Sequence, residues 1–312
     1  MIDVTLLGTS ALLPLPDRAL TAAVLRCGGK SILFDCGEGT QTAARRAGVS
    51  LMKTDLIALT HYHGDHIFGL PGLLQTMGVM GRTEPLTVTG PKGLHDAMGP
   101  ILLLSGALPF SVRLLDWPQS GAALSSLFSG WPPLAYLSAF PTRHRCPSQG
   151  YTFTLGRAGE FDPKKAQALG VPVPQWKVLQ RGEKVEAQGR TICPDQVLGP
   201  KRRGLKFVFS GDTAPCPTLT ENARGADLLI CEATYGENEQ ADMAQLYGHS
   251  TFSQAGKTAR DAGARRLWLA HFSQRMEQPE AFLPFAQAHF PLAQCGRDGQ
   301  TITLSFDSET EE

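Results

Sequence analysis

Thr60-His61-Tyr62-His63-Gly64-Asp65-His66 places three imidazoles and a carboxylate within six residues. Directly before it runs Asp55-Leu56-Ile57-Ala58-Leu59, a short apolar segment of the kind found in a strand covered on both faces. The histidines therefore fall on the turn at that strand's end. Left without partners, so many polar groups at a strand end carry a heavy desolvation cost, which a bound cation removes. Imidazole and carboxylate donors suit zinc, with manganese or another first-row ion as alternatives. A solvated His-rich turn is the competing reading; it would suit a lone histidine better than four donors at this spacing.

Outward from this segment, short strands alternate with helices. Residues 2–7, 22–25 and 31–34 read as strands, 38–47 as a helix stopped by Gly48, 69–80 as a helix and 86–89 as a strand. Towards the C-terminus, 205–209 is a strand that runs into Ser210-Gly211-Asp212. Residues 227–230 form another strand, 253–262 a helix, and 265–270 a strand ending at His271. Alternation of this kind predicts an α/β chain with sheets covered by helices. There is no internal repeat at a fixed period.

With 312 residues, 42% of them hydrophobic, the chain can build one large domain or two halves sharing a core. Its 29 basic and 29 acidic residues balance, so any attraction to a polyanion must be local. Residues 156–206 carry eleven Lys/Arg against five Asp/Glu, a net of +6, which leaves −6 for the remainder. That segment is either a solvated insertion or an arm that grips a polyanion. The seven cysteines are scattered with no Cys-x-x-Cys pair, as in a reduced intracellular protein. The N-terminus has no basic n-region or long apolar h-region, and Ile101-Leu102-Leu103-Leu104 is far short of a membrane span. A cytoplasmic protein without a membrane partner is expected.

The pattern His61-x-His63-x-Asp65-His66 resembles the signature of the metallo-β-lactamase superfamily. This implies an αβ/βα four-layer sandwich with a dinuclear metal site at the edge where both sheets end. Further ligands are needed downstream. His144 in Pro141-Thr142-Arg143-His144 follows the strand-like residues 134–140, and Asp212 and His271 each end a strand. The resemblance implies that His61, His63 and His144 hold one metal, that Asp65, His66 and His271 hold the other, and that Asp212 bridges them. Two Zn2+ per chain are expected, with Mn2+ or another divalent ion possible. His95, on a helix-like stretch, is read as structural or surface.

Longer stretches are similar to the short-form ribonuclease Z family: Leu33-Phe34-Asp35-Cys36-Gly37-Glu38-Gly39-Thr40-Gln41, His63 to Gly72, Gly81-Arg82-Thr83-Glu84-Pro85-Leu86, Gly90-Pro91-Lys92-Gly93 and Tyr247-Gly248-His249-Ser250-Thr251. The similarity runs from about residue 2 past His271. It implies an endoribonuclease that cuts precursor tRNA 3′ of the discriminator base and removes the 3′ trailer, acting on RNA and not DNA. His249 would protonate the leaving 3′ oxygen, oriented by Glu232 in Cys231-Glu232-Ala233-Thr234, and Asp65 would accept a proton besides its metal role. Within a single domain over 1–312, residues 156–206 would be an inserted exosite arm and its flank. A homodimer is implied in which one subunit's arm serves the other's site.

Three stretches depart from the family pattern. No Gly-Pro pair stands near Val173-Pro174-Gln175-Trp176. The first loop, Pro14-Leu15-Pro16-Asp17-Arg18-Ala19, lacks the usual lysine and asparagine. Cys231 replaces a histidine. Competing functions are an RNA 3′ exonuclease, a small-molecule phosphodiesterase on the same dinuclear site, and an RNA-binding module with a relic metal site. The small-molecule reading leaves the +6 segment without a role, and a relic should have lost a ligand or His249.

Overall fold

Alternation along the strands sorts apolar side chains into an inner layer and two outer layers. The computed structural model describes residues 1–118 and 120–306. Its first sheet begins with β1 (Ile2–Gly8), β2 (Ala22–Cys27) and β3 (Lys30–Phe34), paired antiparallel. β4 (Thr54–Ala58), β5 (Leu86–Thr89) and β6 (Val112–Leu114) then add in parallel to β3. Parallel neighbours need crossovers, supplied by α1 (Thr40–Arg46), α2 (Gly64–Ile67) with α3 (Leu70–Val79), and α4 (Leu94–Ser105).

The second sheet opens with β7 (Ala122–Ala123), followed by α5 (Leu124–Leu127), and then β8 (Ala135–Pro141) and β9 (Gln149–Arg157), all antiparallel. After β9 the chain leaves the sheet through α6 (Pro163–Ala168), α7 (Val173–Gln180) and the hairpin β10 (Val185–Ala187) with β11 (Arg190–Ile192). It returns as β12 (Arg202–Phe209), antiparallel to β9 with Arg202 opposite Arg157. β13 (Leu228–Glu232), β14 (Leu267–Ala270) and β15 (Ala293–Cys295) follow in parallel. Between them lie α8 (Pro217–Ala223), α9 (Ala241–Tyr247), α10 (Phe252–Asp261) and α11 (Leu283–Gln287). β16 (Thr301–Leu304) returns to pair with β1, Leu304 opposite Ile2, so each sheet has seven strands among the described residues.

In β3, Ile32 and Phe34 point between the sheets while Leu33 points out; in β12, Phe207 and Phe209 point in while Val208 points out. The ring of Phe34 lies 5.5–5.7 Å from those of Tyr151, Phe207 and Phe209. Each such fully buried aromatic contributes about 1.5–3 kcal/mol. Helices α1, α3 and α4 cover one outer face, and α8, α10 and α11 the other. This is the four-layer αβ/βα sandwich that the sequence resemblance implied.

Helix α10 shows why such a layer forms locally. Thr251 Oγ1 accepts from the Gln254 amide while the Gln254 side chain accepts from the Thr251 amide, a reciprocal cap. Phe252, Ala255 and Ala259 then bury one stripe against the sheet. The apolar residues 101–104 fall in the C-terminal half of α4, where Leu103 and Leu104 are exposed. No helix among the described residues is long and apolar enough to cross a membrane.

Candidate metal centre

β3, β4, β12, β13 and β14 end at one edge of the sandwich, and the residues at or just beyond their C-terminal ends converge there: Asp35, Thr60 to His66, Asp212, Glu232 with Thr234, and His271. His144 joins them from the turn between β8 and β9. All seven residues expected to hold metal are thus brought together, and so are His249 and Glu232. His95 lies exposed on α4, away from them. A second histidine outside the cluster, His289, pairs with Ser253 Oγ at 3.0 Å.

Tautomers follow from the hydrogen bonds. Thr60 Oγ1 donates to Asp35 Oδ2 at 2.8 Å and faces His61 Nδ1 at 3.1 Å, so that nitrogen carries the proton and His61 Nε2 is a bare lone pair. His144 Nδ1 donates to the Gly248 carbonyl at 2.8 Å, which leaves its Nε2 bare as well. Both bare atoms point at His63 Nδ1, at 2.9 and 3.2 Å. Gly248 has φ +76°, and a Cβ there would lie 2.9 Å from His144 Nδ1, so glycine is needed on both counts.

The second cluster repeats the logic. His66 Nδ1 donates to Asp35 Oδ2 at 2.8 Å, and His271 Nδ1 donates to Thr234 Oγ1 at 2.8 Å, whose own hydrogen goes to Glu232 Oε2. Their Nε2 atoms face each other at 3.3 Å, with Asp65 Oδ2 3.3 Å from His271 Nε2. Asp212 spans both clusters: Oδ2 lies 3.7 Å from His61 Nε2, and Oδ1 lies 3.4 Å from His66 and 3.3 Å from His271. Asp212 is buried and its Oδ1 has no hydrogen-bond partner. An unpaired buried carboxylate oxygen facing imidazole lone pairs is unstable unless a cation lies among them. These donors fit divalent metal on both sides of Asp212.

The electrostatics agree. Burial, reinforced by His66, holds His61 well below its ordinary value, and burial with His144 lowers His63; both stay neutral and able to ligate. Asp212 and Asp35 raise His66 well above its ordinary value in spite of burial. Asp65 and Asp212 stay ionised although burial opposes it, held down by His271 and His66. The pocket demands positive charge. Asp35 and His271 also adopt left-handed backbone conformations, φ 55° and 57°, directly after β3 and β14. For a non-glycine residue each costs on the order of 1–3 kcal/mol, so the surrounding contacts must over-determine them.

Beside the clusters, His249 Nδ1 lies 2.9 Å from Glu232 Oε1. Glu232 cannot move: Oε1 accepts from the Thr213 amide, and Oε2 from the amide and hydroxyl of Thr234. Burial would lower the His249 pKa, but the Glu232 carboxylate outweighs it and raises the value to about 9. Its ring faces a cavity of about 740 Å³ that His63, His144, Asp65, Asp212 and His271 also line, with Arg145, Arg275, Tyr235 and Tyr247 around the wall.

A family model described as the beta-lactamase superfamily domain matches residues 30–272. Ribonuclease Z of Lachnoclostridium phytofermentans is 42% identical, over 98% of this chain and 99% of that protein. Ribonuclease Z of Agathobacter rectalis is 40% identical over 99% and 100%. Among solved structures, human tRNase Z, short form, matches with TM-score 0.67 and 29% identity, covering 97% of this chain and all of that one. The chain belongs to the ribonuclease Z family. It is accordingly a metallo-β-lactamase-fold hydrolase, and its centre is one for divalent metal ions.

Of the departures from the ribonuclease Z pattern, Cys231 is harmless for a structural reason. It alternates with Glu232 on β13 and points into the outer helix-covered core, away from the site. The first loop is tied down by other means, with Arg18 Nη2 donating to the Met276 carbonyl and Asp298 accepting from the Ala19 amide. Residues 173–180, where Gly-Pro is missing, form α7, and the Trp176 ring packs tilted against that of Phe161, centroids 5.3 Å apart.

Asp35, Thr234 and Leu12 carry no role in the sequence pattern, yet Asp35 and Thr234 hold the ligand imidazoles and the Leu12 amide donates to Asp65 Oδ2 at 2.8 Å. The available signal for Asp35 was a carboxylate immediately after a strand. Asp35→Ala is expected to free the His66 ring and weaken metal retention about 10–100-fold, the scale of a lost partner behind a ligand; zinc titration against a chromogenic chelator measures it. Unchanged retention would show that the ring needs no such support.

Proposed function

We propose that this chain is an endoribonuclease that cuts precursor tRNA 3′ of the discriminator base and releases the 3′ trailer, with two zinc ions in the centre. The observation that carries it is His249, fixed on buried Glu232 and presented to a cavity walled by the metal donors. His61, His63 and His144 would hold one ion, Asp65, His66 and His271 the other, and Asp212 both. Bound there, the ions supply Lewis acidity to the water and the phosphate. Asp65, kept ionised, takes the proton of the attacking water. Glu232 accepts from His249 Nδ1–H, so Nε2–H is free to protonate the departing 3′ oxygen. One water is consumed, yielding a 3′-hydroxyl on the tRNA and a 5′-phosphate on the trailer.

End-labelled precursor tRNA with a 3′ trailer tests the reading. Release of the trailer as one piece after the discriminator base is expected. Stepwise shortening would make the enzyme an exonuclease. Intact RNA beside hydrolysed bis(p-nitrophenyl) phosphate would make it a small-molecule phosphodiesterase.

Residues 156–206 are read as the arm that holds the tRNA body. Their apolar residues Ala166, Val171, Leu179, Val185, Ile192 and Val197 form a cluster of their own, and the excursion is closed at its base by Gly199 N to Glu160 O and Asp162 N to Val197 O, both 2.8 Å. Lys164, Lys165, Lys177, Arg181, Lys184 and Arg190 are exposed on it. Replacing 161–198 with a short Gly-Ser turn is expected to raise KM for precursor tRNA while leaving bis(p-nitrophenyl) phosphate hydrolysis unchanged. If all six cations meet phosphates, the salt slope of binding falls by up to about five. Equal loss on both substrates would mean that the segment merely supports the fold. We extend the reading to a homodimer that shares arms between subunits, for which sedimentation should give twice the chain mass.

A further inference from the structure

We propose that Cys146 is a metal ligand of this centre, its thiolate completing a donor set with His61, His63 and His144. The inference rests on the divalent centre argued above. The sulfur and one ring nitrogen of each histidine lie within 4.8 Å of one another. Cys146 lies in the bend that also carries His144, between β8 and β9, and is half-buried. Among these histidines, the Nε2 lone pairs of His61 and His144 converge on His63 Nδ1. Asp212 Oδ2 faces the same cluster, 3.7 Å from His61 Nε2.

Position and chemistry agree. Cys146 is not among the side chains lining the cavity, whereas His63 and His144 are. Its sulfur is therefore not part of the cavity wall, which stays free for water and phosphate. A thiolate would add one soft donor to the three imidazoles and the Asp212 carboxylate, and sulfur suits zinc but is a poor donor to manganese. The cluster of Asp65, His66 and His271 has only nitrogen and oxygen. The two halves therefore differ in softness, the Cys146 half selecting zinc and the other accepting harder ions. Ligation releases the thiol proton to solvent, and no electron changes hands.

Cobalt reports sulfur directly. The metal-free chain is titrated with Co2+, visible d–d bands reporting occupancy and a near-ultraviolet thiolate-to-cobalt band reporting sulfur. Wild type is expected to show both, Cys146→Ser only the visible bands, and Cys193→Ser, on the arm, both. Cys146→Ser should also retain zinc at least about 10-fold more weakly, the lower end of the effect of losing even a ligand's support, with manganese retention little changed. Visible bands without a near-ultraviolet band in wild type, or a band that survives in Cys146→Ser, overturn the assignment and leave the centre standing. No cobalt bands and no retained zinc in wild type would sink the centre itself. Should Cys146→Ser misfold, alkylation of wild type decides: zinc should protect Cys146 about 10-fold or more relative to the metal-free chain, and equal rates refute the proposal.

Discussion

Asp212→Ala is expected to abolish trailer release, by about 10⁴-fold or more in single-turnover cleavage, and to strip the chain of metal on gel filtration. Its two oxygens address the two donor clusters, 3.7 Å from His61 on one side and 3.3–3.4 Å from His271 and His66 on the other. Removing them would take one donor from each cluster and the negative charge between the two. Charge stabilisation by such ions is worth several kcal/mol, and each ~1.4 kcal/mol is tenfold in rate. A thermodynamic signature should accompany the kinetic one. A ligand that binds only the folded chain stabilises it by mass action, so chelation should lower the melting temperature of wild type and leave Asp212→Ala almost unmoved. A variant that keeps its metal and cuts within about 10-fold of wild type would show that Asp212 does not bridge.

The second large effect concerns His249. His249→Ala should reduce trailer release by about 10²–10⁴-fold, the range for a positioned general acid. Hydrolysis of bis(p-nitrophenyl) phosphate, whose leaving group departs without a proton, should be far less affected. Equal losses on the two substrates would place His249 in binding or folding and not in proton donation. The pH profile gives an independent reading. The active form is protonated and its pKa is raised to about 9, so activity should hold below that value and fall as pH rises through it. The same sign applies to stability. The His249–Glu232 pair stabilises the fold fully below the ordinary 6.5 and loses that contribution as pH climbs through about 9. Glu232→Gln removes the carboxylate that raises the value while burial remains, so the alkaline limb should move down. A limb that stays in place would mean another group sets it.

Much of the site was legible because its signal is local. Four donors over Thr60 to His66 follow one covered strand, and Asp212 and His271 each stand where a strand runs out. Strand periodicity and strand ends are properties of a few consecutive residues, so the chain declares them without its partners. The charge of 156–206 was equally visible, since it needs only counting. The four-layer order came through resemblance, and the structure accounts for it by the inward and outward alternation of Ile32, Leu33 and Phe34.

Other features existed only once distant segments met. β6, β7 and β15 span two or three residues each, too short for alternation to register, and β16 is defined by pairing with β1 at the other end of the chain. Asp35 became the support of His66 and of Thr60 because β3 and β4 lie side by side and end together. Thr234, one hydroxyl between Glu232 and His271, depends on β13 and β14 being parallel neighbours. Which nitrogen of each imidazole bears the proton, which Asp212 oxygen is left unpaired and that Cys146 stands by three histidines are likewise tertiary facts. The tautomers are set by hydrogen-bond partners up to 104 residues away in the chain, and sequence pattern records composition and period, whereas a metal centre is decided by distances of about 3 Å.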